Sequence, residues 1–255
     1  MIIGFAGAGN MAAAMAKGWA GAGRRPERML FCDLDAPKAQ ALADAVGGET
    51  RPTLGALRDD ADVLLLAVKP AALDDVAREL DGRAPAILSV MAATPLERIG
   101  AAFPGVPALR VMPNQPVEVR RGVLCWTAGT GMEGELRATL VGWLEALGDA
   151  VELPEEQIDA AMAVMSCAPA YVALFAEALA RAGADEGLTP ELSARVVRET
   201  FAGTAALLEQ RDPEAIRRAV APPGGATEAG LDALAEHGVV EAIRAAVEAS
   251  LERFR

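Results

Sequence analysis

The stretch Ile2-Ile3-Gly4-Phe5-Ala6-Gly7-Ala8-Gly9-Asn10-Met11-Ala12 decides the fold of this chain. An apolar run leads into a glycine turn and then into a helical pattern, and Gly7, Gly9 and Ala12 fit G-x-G-x-x-G/A. In such a loop the first glycine makes the tight turn, the second lets a pyrophosphate approach the backbone, and the third position keeps helix and strand close. The unpaired amides of the helix N-terminus favour phosphate. The stretch therefore predicts a dinucleotide site formed by Gly7, Ala8, Gly9, Asn10 and Met11.

Beyond this loop, apolar runs alternate with helical patterns as far as about residue 150. Strands are predicted at 1–6, 29–32, 63–68, 86–90, 108–112 and 123–128, and helices at 10–22, 37–46, 71–80, 96–103 and 133–147. Continuous apolar strands joined by helices are typical of a parallel sheet that is covered on both faces. We therefore expect an α/β fold in which residues 1–153 form a Rossmann-type, doubly wound parallel sheet.

The second part of the chain, residues 154–255, shows helical patterns only. Helices are predicted at 157–182, 190–209, 213–219 and 239–254. The first of them has one apolar stripe that includes Ile158, Met162, Val172, Phe175 and Leu179. A second apolar face consists of Ala161, Val164, Ala168 and Tyr171, so this helix is apolar on nearly all sides. Since about 100 residues give too few neighbours to bury such a helix, we expect a second chain to pack there. The predicted domain is all-helical and serves dimerisation.

The composition excludes several classes of function. A net charge of −12 over 255 residues argues against binding to nucleic acid and disfavours docking on an anionic membrane. The uncharged stretch 160–176 is too short to span a bilayer comfortably and contains Pro169, so it predicts a buried helix. The chain begins directly with a strand rather than a signal peptide, and we expect a cytoplasmic protein.

Metal binding is not expected. The single histidine, His237, cannot form a histidine-based site, and its position beside Gly238 predicts a helix C-cap. The spacing of Cys32, Cys125 and Cys167 fits neither a zinc site nor a disulfide framework, so these residues are expected to be small core residues.

Asp33 ends the second predicted strand, at the position where an acidic residue commonly accepts hydrogen bonds from the ribose of a dinucleotide. A carboxylate there repels a 2′-phosphate, and Asp35 adds a second negative charge. The bound cofactor is therefore NADH or NADPH, with NADH favoured. The alternative interpretation of Asp33 is a helix N-cap.

Several segments, taken in order along the whole chain, resemble motifs of the pyrroline-5-carboxylate reductases. The N-terminal ones are Gly7-Ala8-Gly9-Asn10-Met11-Ala12, Ala67-Val68-Lys69-Pro70 and Ser89-Val90-Met91-Ala92-Ala93. The later ones are Arg110-Val111-Met112-Pro113-Asn114-Gln115-Pro116, Ser166-Cys167-Ala168-Pro169-Ala170-Tyr171 and Pro222-Pro223-Gly224-Gly225-Ala226-Thr227-Glu228-Ala229-Gly230. The Met-Pro-Asn and Pro-Gly-Gly-x-Thr segments are the most specific.

This resemblance implies an NAD(P)H-dependent enzyme that reduces the cyclic imine 1-pyrroline-5-carboxylate to L-proline in proline biosynthesis. It also implies a homodimer, or a larger ring of dimers, formed through the C-terminal helices. The residues implied at the cofactor are Ala67, Val68, Lys69, Pro70, Ala92 and Asn114. Those implied at the substrate, a cyclic imino acid, are Gly224, Gly225, Ala226 and Thr227, with Thr227 as the catalytic candidate.

Each of these roles has a simpler alternative. Thr227 can cap the next helix, Lys69 can be a solvated loop residue, and Asn114 can belong to a turn before Pro116. Tyr171 is expected to pack in the dimer core rather than to touch the substrate.

The departures from the family pattern leave two further functions open. Ala93 replaces a glycine, Gln115 replaces a threonine, and Cys167 and Ala168 alter a run of small residues. Pro222 replaces a serine whose hydroxyl, by the resemblance, helps to hold the substrate carboxylate. The chain could thus reduce a different cyclic imine or bind a dinucleotide without catalysis. Hydroxyacid dehydrogenases of similar organisation rely on a lysine in the helix between the two domains. The corresponding predicted helix, 157–182, contains no lysine, which argues against this class of enzyme.

Overall fold

An eight-stranded sheet organises the N-terminal part of the computed structural model, which describes residues 1–253. Its strands are β1 (Ile2–Ala6), β2 (Arg28–Cys32), β3 (Glu49–Thr50), β4 (Val63–Leu66), β5 (Ile87–Ser89), β6 (Ala108–Pro113), β7 (Gly122–Ala128) and β8 (Gly148–Glu152). They lie in the order β3-β2-β1-β4-β5-β6-β7-β8. The predicted strands are confirmed, and β3 and β8 are additional edge strands.

The sheet is mostly parallel, and the expectation of a wholly parallel sheet is wrong for one pair of strands. β7 runs antiparallel to β6 and pairs Met112 with Cys125. The connection between them contains only a short 3-10 segment, Gln115–Val119. A parallel neighbour requires a crossover of about a dozen residues or more, usually with a helix, so this short link reverses the chain.

Helices cover both faces of the sheet. They are α1 (Asn10–Ala20), α2 (Ala36–Val46), α3 (Leu54–Asp60), α4 (Leu73–Glu79), α5 (Leu96–Ala102), α6 (Gly134–Glu145) and α7 (Glu155–Met165). Ile3 and Phe5 of β1 belong to one apolar core together with Trp19, while Ala6 belongs to a second core. Successive side chains of a strand point to opposite faces, so these two cores confirm the doubly wound arrangement.

The single helix predicted over 157–182 is in fact two helices. α7 ends at Met165, and α8 comprises Ala168–Asp185. Pro169 explains the break, because its ring would clash with the carbonyl of Met165 in a continuous helix, whereas proline is tolerated in a first turn.

Helix α7 packs against the sheet. Ile158 and Met162 are buried with Met112 of β6 and Cys125 of β7. The chain accordingly divides into two compact units after Cys167, whereas the boundary expected from sequence near Leu153 precedes α7.

The second unit, Ala168–Glu252, is helical throughout. Its helices are α8, α9 (Pro190–Leu208), α10 (Pro213–Val220), α11 (Ala226–Glu236) and α12 (Val239–Glu252). The helices predicted from residues 190, 213 and 239 onward are confirmed, although the predicted end at Phe254 lies outside the described residues. α8 and α9 approach closely, because the Ser193 hydroxyl donates to the Ala180 carbonyl at 2.7 Å.

This second unit exposes much apolar surface. Val172, Leu174 and Phe175 of α8 are 51%, 65% and 46% exposed, so residues of the single chain do not bury α8, and its burial by a second chain stays a prediction. An open groove of about 720 Å³ lies between α8 and α9, lined by Val172, Ala176, Val197 and Phe201 among others. By length and composition alone, the stretch Glu155–Asp185 could cross a membrane. Its break after Met165 and the packing of α7 on the sheet favour a protein partner for the exposed part.

Candidate active site

The glycine loop between β1 and α1 places its two glycines in different environments. Gly7 has φ of +102°, and a Cβ there would lie 2.7 Å from the carbonyl oxygen of Ala67. Its amide donates to the Cys32 carbonyl at 2.8 Å. Gly9 is the N-cap of α1, and a Cβ at Gly9 would meet no protein atom within 4 Å. The protein's own packing therefore requires glycine at position 7, but leaves the space beside Gly9 open at a helix N-terminus that suits phosphate.

Asp33 ties the end of β2 to this loop. One of its carboxylate oxygens accepts from the Ala8 amide at 2.6 Å, and the other accepts from the Asp35 amide at 2.9 Å. The N-cap of α2 is Asp35, whose side chain accepts from the Lys38 amide at 3.2 Å. The interpretation of Asp33 as the cap is therefore wrong. Because a carboxylate has about four lone-pair positions, Asp33 can still accept further hydrogen bonds.

The Ala67–Pro70 turn adjoins the glycine loop. The Ala67 amide continues the β1–β4 pairing by donating to the Ala6 carbonyl at 2.9 Å. A Cβ on Gly7 would lie 3.3 Å from a methyl of Val68, so this side chain borders the loop. Lys69 is exposed at the start of a 3-10 turn, Pro70–Ala72, and its side chain has no hydrogen bond or ion pair within residues 1–253. A free cation thus stands at the carboxyl end of β4.

The turn after β5 contains a strained residue. Ala93 has φ of +48°, a left-handed conformation that glycine adopts more readily than alanine. The neighbouring Thr94 hydroxyl donates to the Ala92 carbonyl at 3.0 Å and closes the turn. This geometry accounts for the glycine that the family motif has at the position of Ala93.

Asn114 is buried, and both ends of its amide are used within the chain. Its side-chain oxygen accepts from the Val123 amide at 2.9 Å, and its nitrogen donates to the Met165 carbonyl at 3.1 Å. Asn114 thereby joins the ends of β6 and α7. It is not merely the turn residue of the simpler interpretation, and only its second N–H and remaining lone pair are left for a ligand.

Arg110 also holds α7 against the sheet, a role that the sequence reasoning missed. Its guanidinium is 2% exposed and lies 3.1 Å from Glu155 and 2.8 Å from Asp159. The two acids are four residues apart, so they share one face of α7. In the sequence, this ion-pair cluster is indicated by two acids four residues apart in a helical pattern and by an arginine inside an apolar strand.

The Gly224–Thr227 segment forms a turn and the first residues of α11. Gly224 has φ of +74°, and the Gly225 amide donates to the Pro222 carbonyl at 3.0 Å. Gly225 is the N-cap, so the interpretation of Thr227 as the cap is wrong. The Thr227 side chain is exposed and makes no hydrogen bond to any residue from 1 to 253. Its hydroxyl is thus free to bind a ligand beside the unpaired amides of the helix N-terminus.

Glu228 is the residue of this segment that the sequence reasoning did not single out. Its carboxylate accepts from the Gly224 amide at 2.6 Å. A glutamate in the first turn that reaches back to a preceding amide was recognisable as a variant of the capping box.

The remaining candidates are Tyr171, His237 and the cysteines. The Tyr171 hydroxyl is 2.7 Å from that of Ser250 on α12, and its place in a dimer core stays a prediction. His237 caps α11, as predicted. Cys32 and Cys125 are buried, and burial raises the pKa of both thiols, which keeps them protonated and unreactive.

Two family models match successive parts of the chain. A model described as NADP oxidoreductase, coenzyme F420-dependent, matches residues 2–93, and one described as pyrroline-5-carboxylate reductase dimerisation matches residues 155–255.

Curated relatives match over nearly all of the chain. The pyrroline-5-carboxylate reductase of Corynebacterium melassecola is 30% identical, over 97% of this chain and 95% of the relative. Pyrroline-5-carboxylate reductase 3 of Rattus norvegicus is 32% identical, over 99% and 94%. The pyrroline-5-carboxylate reductase of Synechocystis sp. is 39% identical, over 75% of this chain and 74% of the relative.

A solved structure has a similar fold. The 1-pyrroline-5-carboxylate reductase of Streptococcus pyogenes superposes with a TM-score of 0.91 at 26% identity, covering 100% of this chain and 98% of that one.

Proposed function

The chain belongs to the pyrroline-5-carboxylate reductase family, and on that premise we propose how its residues serve the reaction. It is an NAD(P)H-dependent oxidoreductase that reduces 1-pyrroline-5-carboxylate to L-proline, in proline biosynthesis. The observation that carries the proposal is the open space beside Gly9 at the N-terminus of α1. That space fits a pyrophosphate, which a side chain at this position would exclude.

The nicotinamide cofactor, when bound, supplies a hydride to the carbon of the substrate's C=N bond. The chain's contribution is to bind and orient. The amides at Gly9, Asn10 and Met11 would hold the pyrophosphate, and Asp33 would accept from the ribose. The turns at Ala67–Pro70 and Ala92, with Asn114, would border the rest of the cofactor. A protonated imine is already a good hydride acceptor, so no strong side-chain acid is required.

We assign a preference for NADH over NADPH on the charges at the end of β2. Asp33 and Asp35 place two carboxylates there, and Asp35 occupies the N-terminus of α2, where a 2′-phosphate would otherwise be favoured. The opposing charge is Lys38, which is exposed in the first turn of α2. Two fixed carboxylates against one flexible cation favour the cofactor without the extra phosphate.

The substrate loop is proposed to be Gly224–Thr227. Backbone amides at the N-terminus of α11 would bind the carboxylate of the cyclic imino acid. Thr227 would donate its free hydroxyl to the carboxylate or bind the ring nitrogen, which orients the C=N bond.

The dimerisation domain is present, and we propose a homodimer, or a ring of such dimers, in the cytoplasm. The exposed apolar side chains of α8 and the groove between α8 and α9 would be covered by the second copy. All three cysteines are free, which suits a reducing compartment.

The test is the loss of nicotinamide absorbance with 1-pyrroline-5-carboxylate and each reduced cofactor in turn. Rapid oxidation, with a higher kcat/KM for NADH, is the expected result.

A second candidate function, the reduction of a different cyclic imine, rests on Pro222, which has no hydroxyl and whose carbonyl accepts from the Gly225 amide. If the cofactor binds but is not oxidised, other cyclic imines are the substrates to screen, and turnover of none of them would indicate a dinucleotide-binding protein without catalysis.

A further inference from the structure

Glu228 places a carboxylate on the loop that is proposed to bind the substrate's carboxylate. One of its oxygens accepts from the Gly224 amide at 2.6 Å, and the side chain is half-buried in the first turn of α11. Gly224 has φ of +74°, so the amide that donates to Glu228 belongs to a residue in the left-handed region. The chain therefore already holds one of its own carboxylates where a ligand carboxylate is expected.

This contact has two electrostatic consequences. A charge-assisted hydrogen bond to the Gly224 amide is stronger than a neutral one, so a substrate must displace a good partner to use this amide. The negative charge also offsets the partial positive charge of the α11 N-terminus, which would otherwise attract an anion. Both effects weaken the binding of a negatively charged substrate.

We propose that Glu228 is a specificity-determining residue that competes with the substrate carboxylate for the Gly224 amide. It raises KM for anionic cyclic imines and leaves the hydride-transfer step itself unchanged. This inference rests on the proposed substrate loop. If Glu228 served only as a structural cap, its replacement would loosen the loop and weaken substrate binding. KM would then rise rather than fall.

The experiment compares wild type with Glu228→Gln, which keeps an acceptor oxygen and removes the charge. At low ionic strength we expect KM for 1-pyrroline-5-carboxylate to fall about three- to tenfold, with kcat little changed, as expected for the loss of one nearby like charge. The matched control is Glu241→Gln, which removes a charge from the first turn of α12.

A second ligand separates charge competition from a change in the loop. 1-Pyrroline has the same ring and no carboxylate, so its KM, or its inhibition constant as a competitor, should be the same for wild type and Glu228→Gln. The inference is overturned by an unchanged or higher KM for 1-pyrroline-5-carboxylate, or by an equal fall for 1-pyrroline.

Thermal unfolding of each variant shows whether it is folded. If Glu228→Gln is not folded, Glu228→Ala is measured against the same criteria, because it also removes the competing carboxylate. Wild-type turnover distinguishes failure of this inference from failure of the proposed function. If wild type does not turn over 1-pyrroline-5-carboxylate, the proposed function fails and the inference fails with it.

Discussion

The carboxylate of Asp33 accepts a hydrogen bond from the Ala8 amide at 2.6 Å, so the end of β2 holds the glycine loop in place. The residue that is expected to contact the ribose is thus also a support for the loop that is expected to contact the pyrophosphate. Asp33→Ala should raise KM for NADH at least about tenfold, since it removes a charged hydrogen-bond partner. The loss should be smaller for NADPH, because a repulsive charge is removed as well.

Steady-state kinetics with both cofactors measures this difference. The control is Asp44→Asn, a change of one charge on the exposed side of α2. Equal losses with both cofactors would contradict the proposed NADH preference.

Gly9→Ala should weaken cofactor binding and leave the fold intact. A Cβ at Gly9 meets no protein atom within 4 Å, but it would enter the space assigned to the pyrophosphate. We expect Kd for NADH to rise at least about tenfold, with a loss of about 0.5–1 kcal/mol in unfolding free energy because alanine is a poorer N-cap than glycine. Fluorescence titration and thermal unfolding measure the two quantities, and unchanged affinity would remove Gly9 from the site.

Gly7→Ala should instead destabilise the protein itself. Its φ of +102° is unfavourable for alanine, and the new Cβ would lie 2.7 Å from the Ala67 carbonyl oxygen. A loss of about 2 kcal/mol or more in unfolding free energy is expected. Denaturant unfolding without cofactor measures it, and wild-type stability would show that the loop tolerates a side chain.

Ala93→Gly should stabilise the protein. Ala93 has φ of +48°, and glycine adopts this conformation without steric cost. We expect a gain of about 0.5–1 kcal/mol, which corresponds to a rise in Tm of a few degrees. The control is Ala41→Gly in the exposed interior of α2, which should destabilise by a similar amount. A lower Tm for Ala93→Gly would show that its methyl makes a compensating contact.

Thr227→Ala should lower kcat/KM about tenfold or more, which is about 1.4 kcal/mol. Stability should be unaffected, because the side chain is exposed and does not cap α11. Thr130→Ala, in an exposed loop, is the matched control. A wild-type kcat/KM would exclude Thr227 from the reaction.

Val172→Asp should dissociate the dimer. Val172 is 51% exposed in the single chain and lines the apolar groove between α8 and α9. A buried carboxylate without a partner costs several kcal/mol, more than most interfaces tolerate. Analytical ultracentrifugation at micromolar concentration measures the change, with Val119→Asp as the control on a 65% exposed valine of the first unit. A monomeric wild type would contradict the proposed homodimer.

The sequence by itself determined the elements whose signals are local. The apolar run, glycines and helical period of residues 2–20 identify β1, the loop and α1, and the periodic patterns after residue 190 identify α9, α10 and α12. The apolar residues of α8 likewise predict, from the sequence alone, a surface on which a second chain packs. These features follow from backbone propensity and hydrophobic periodicity, which are properties of short stretches.

Only the tertiary structure decided the features that depend on distant partners. The direction of β7 depends on a link too short for a crossover, and α7 belongs to the first unit because its apolar face packs on β6 and β7. The partners of Asp33 and Asn114 come from residues far along the chain, and the left-handed backbone of Ala93 is imposed by its turn. The residue type sets which hydrogen bonds and contacts a side chain can make, whereas the tertiary structure decides which partner it makes them with.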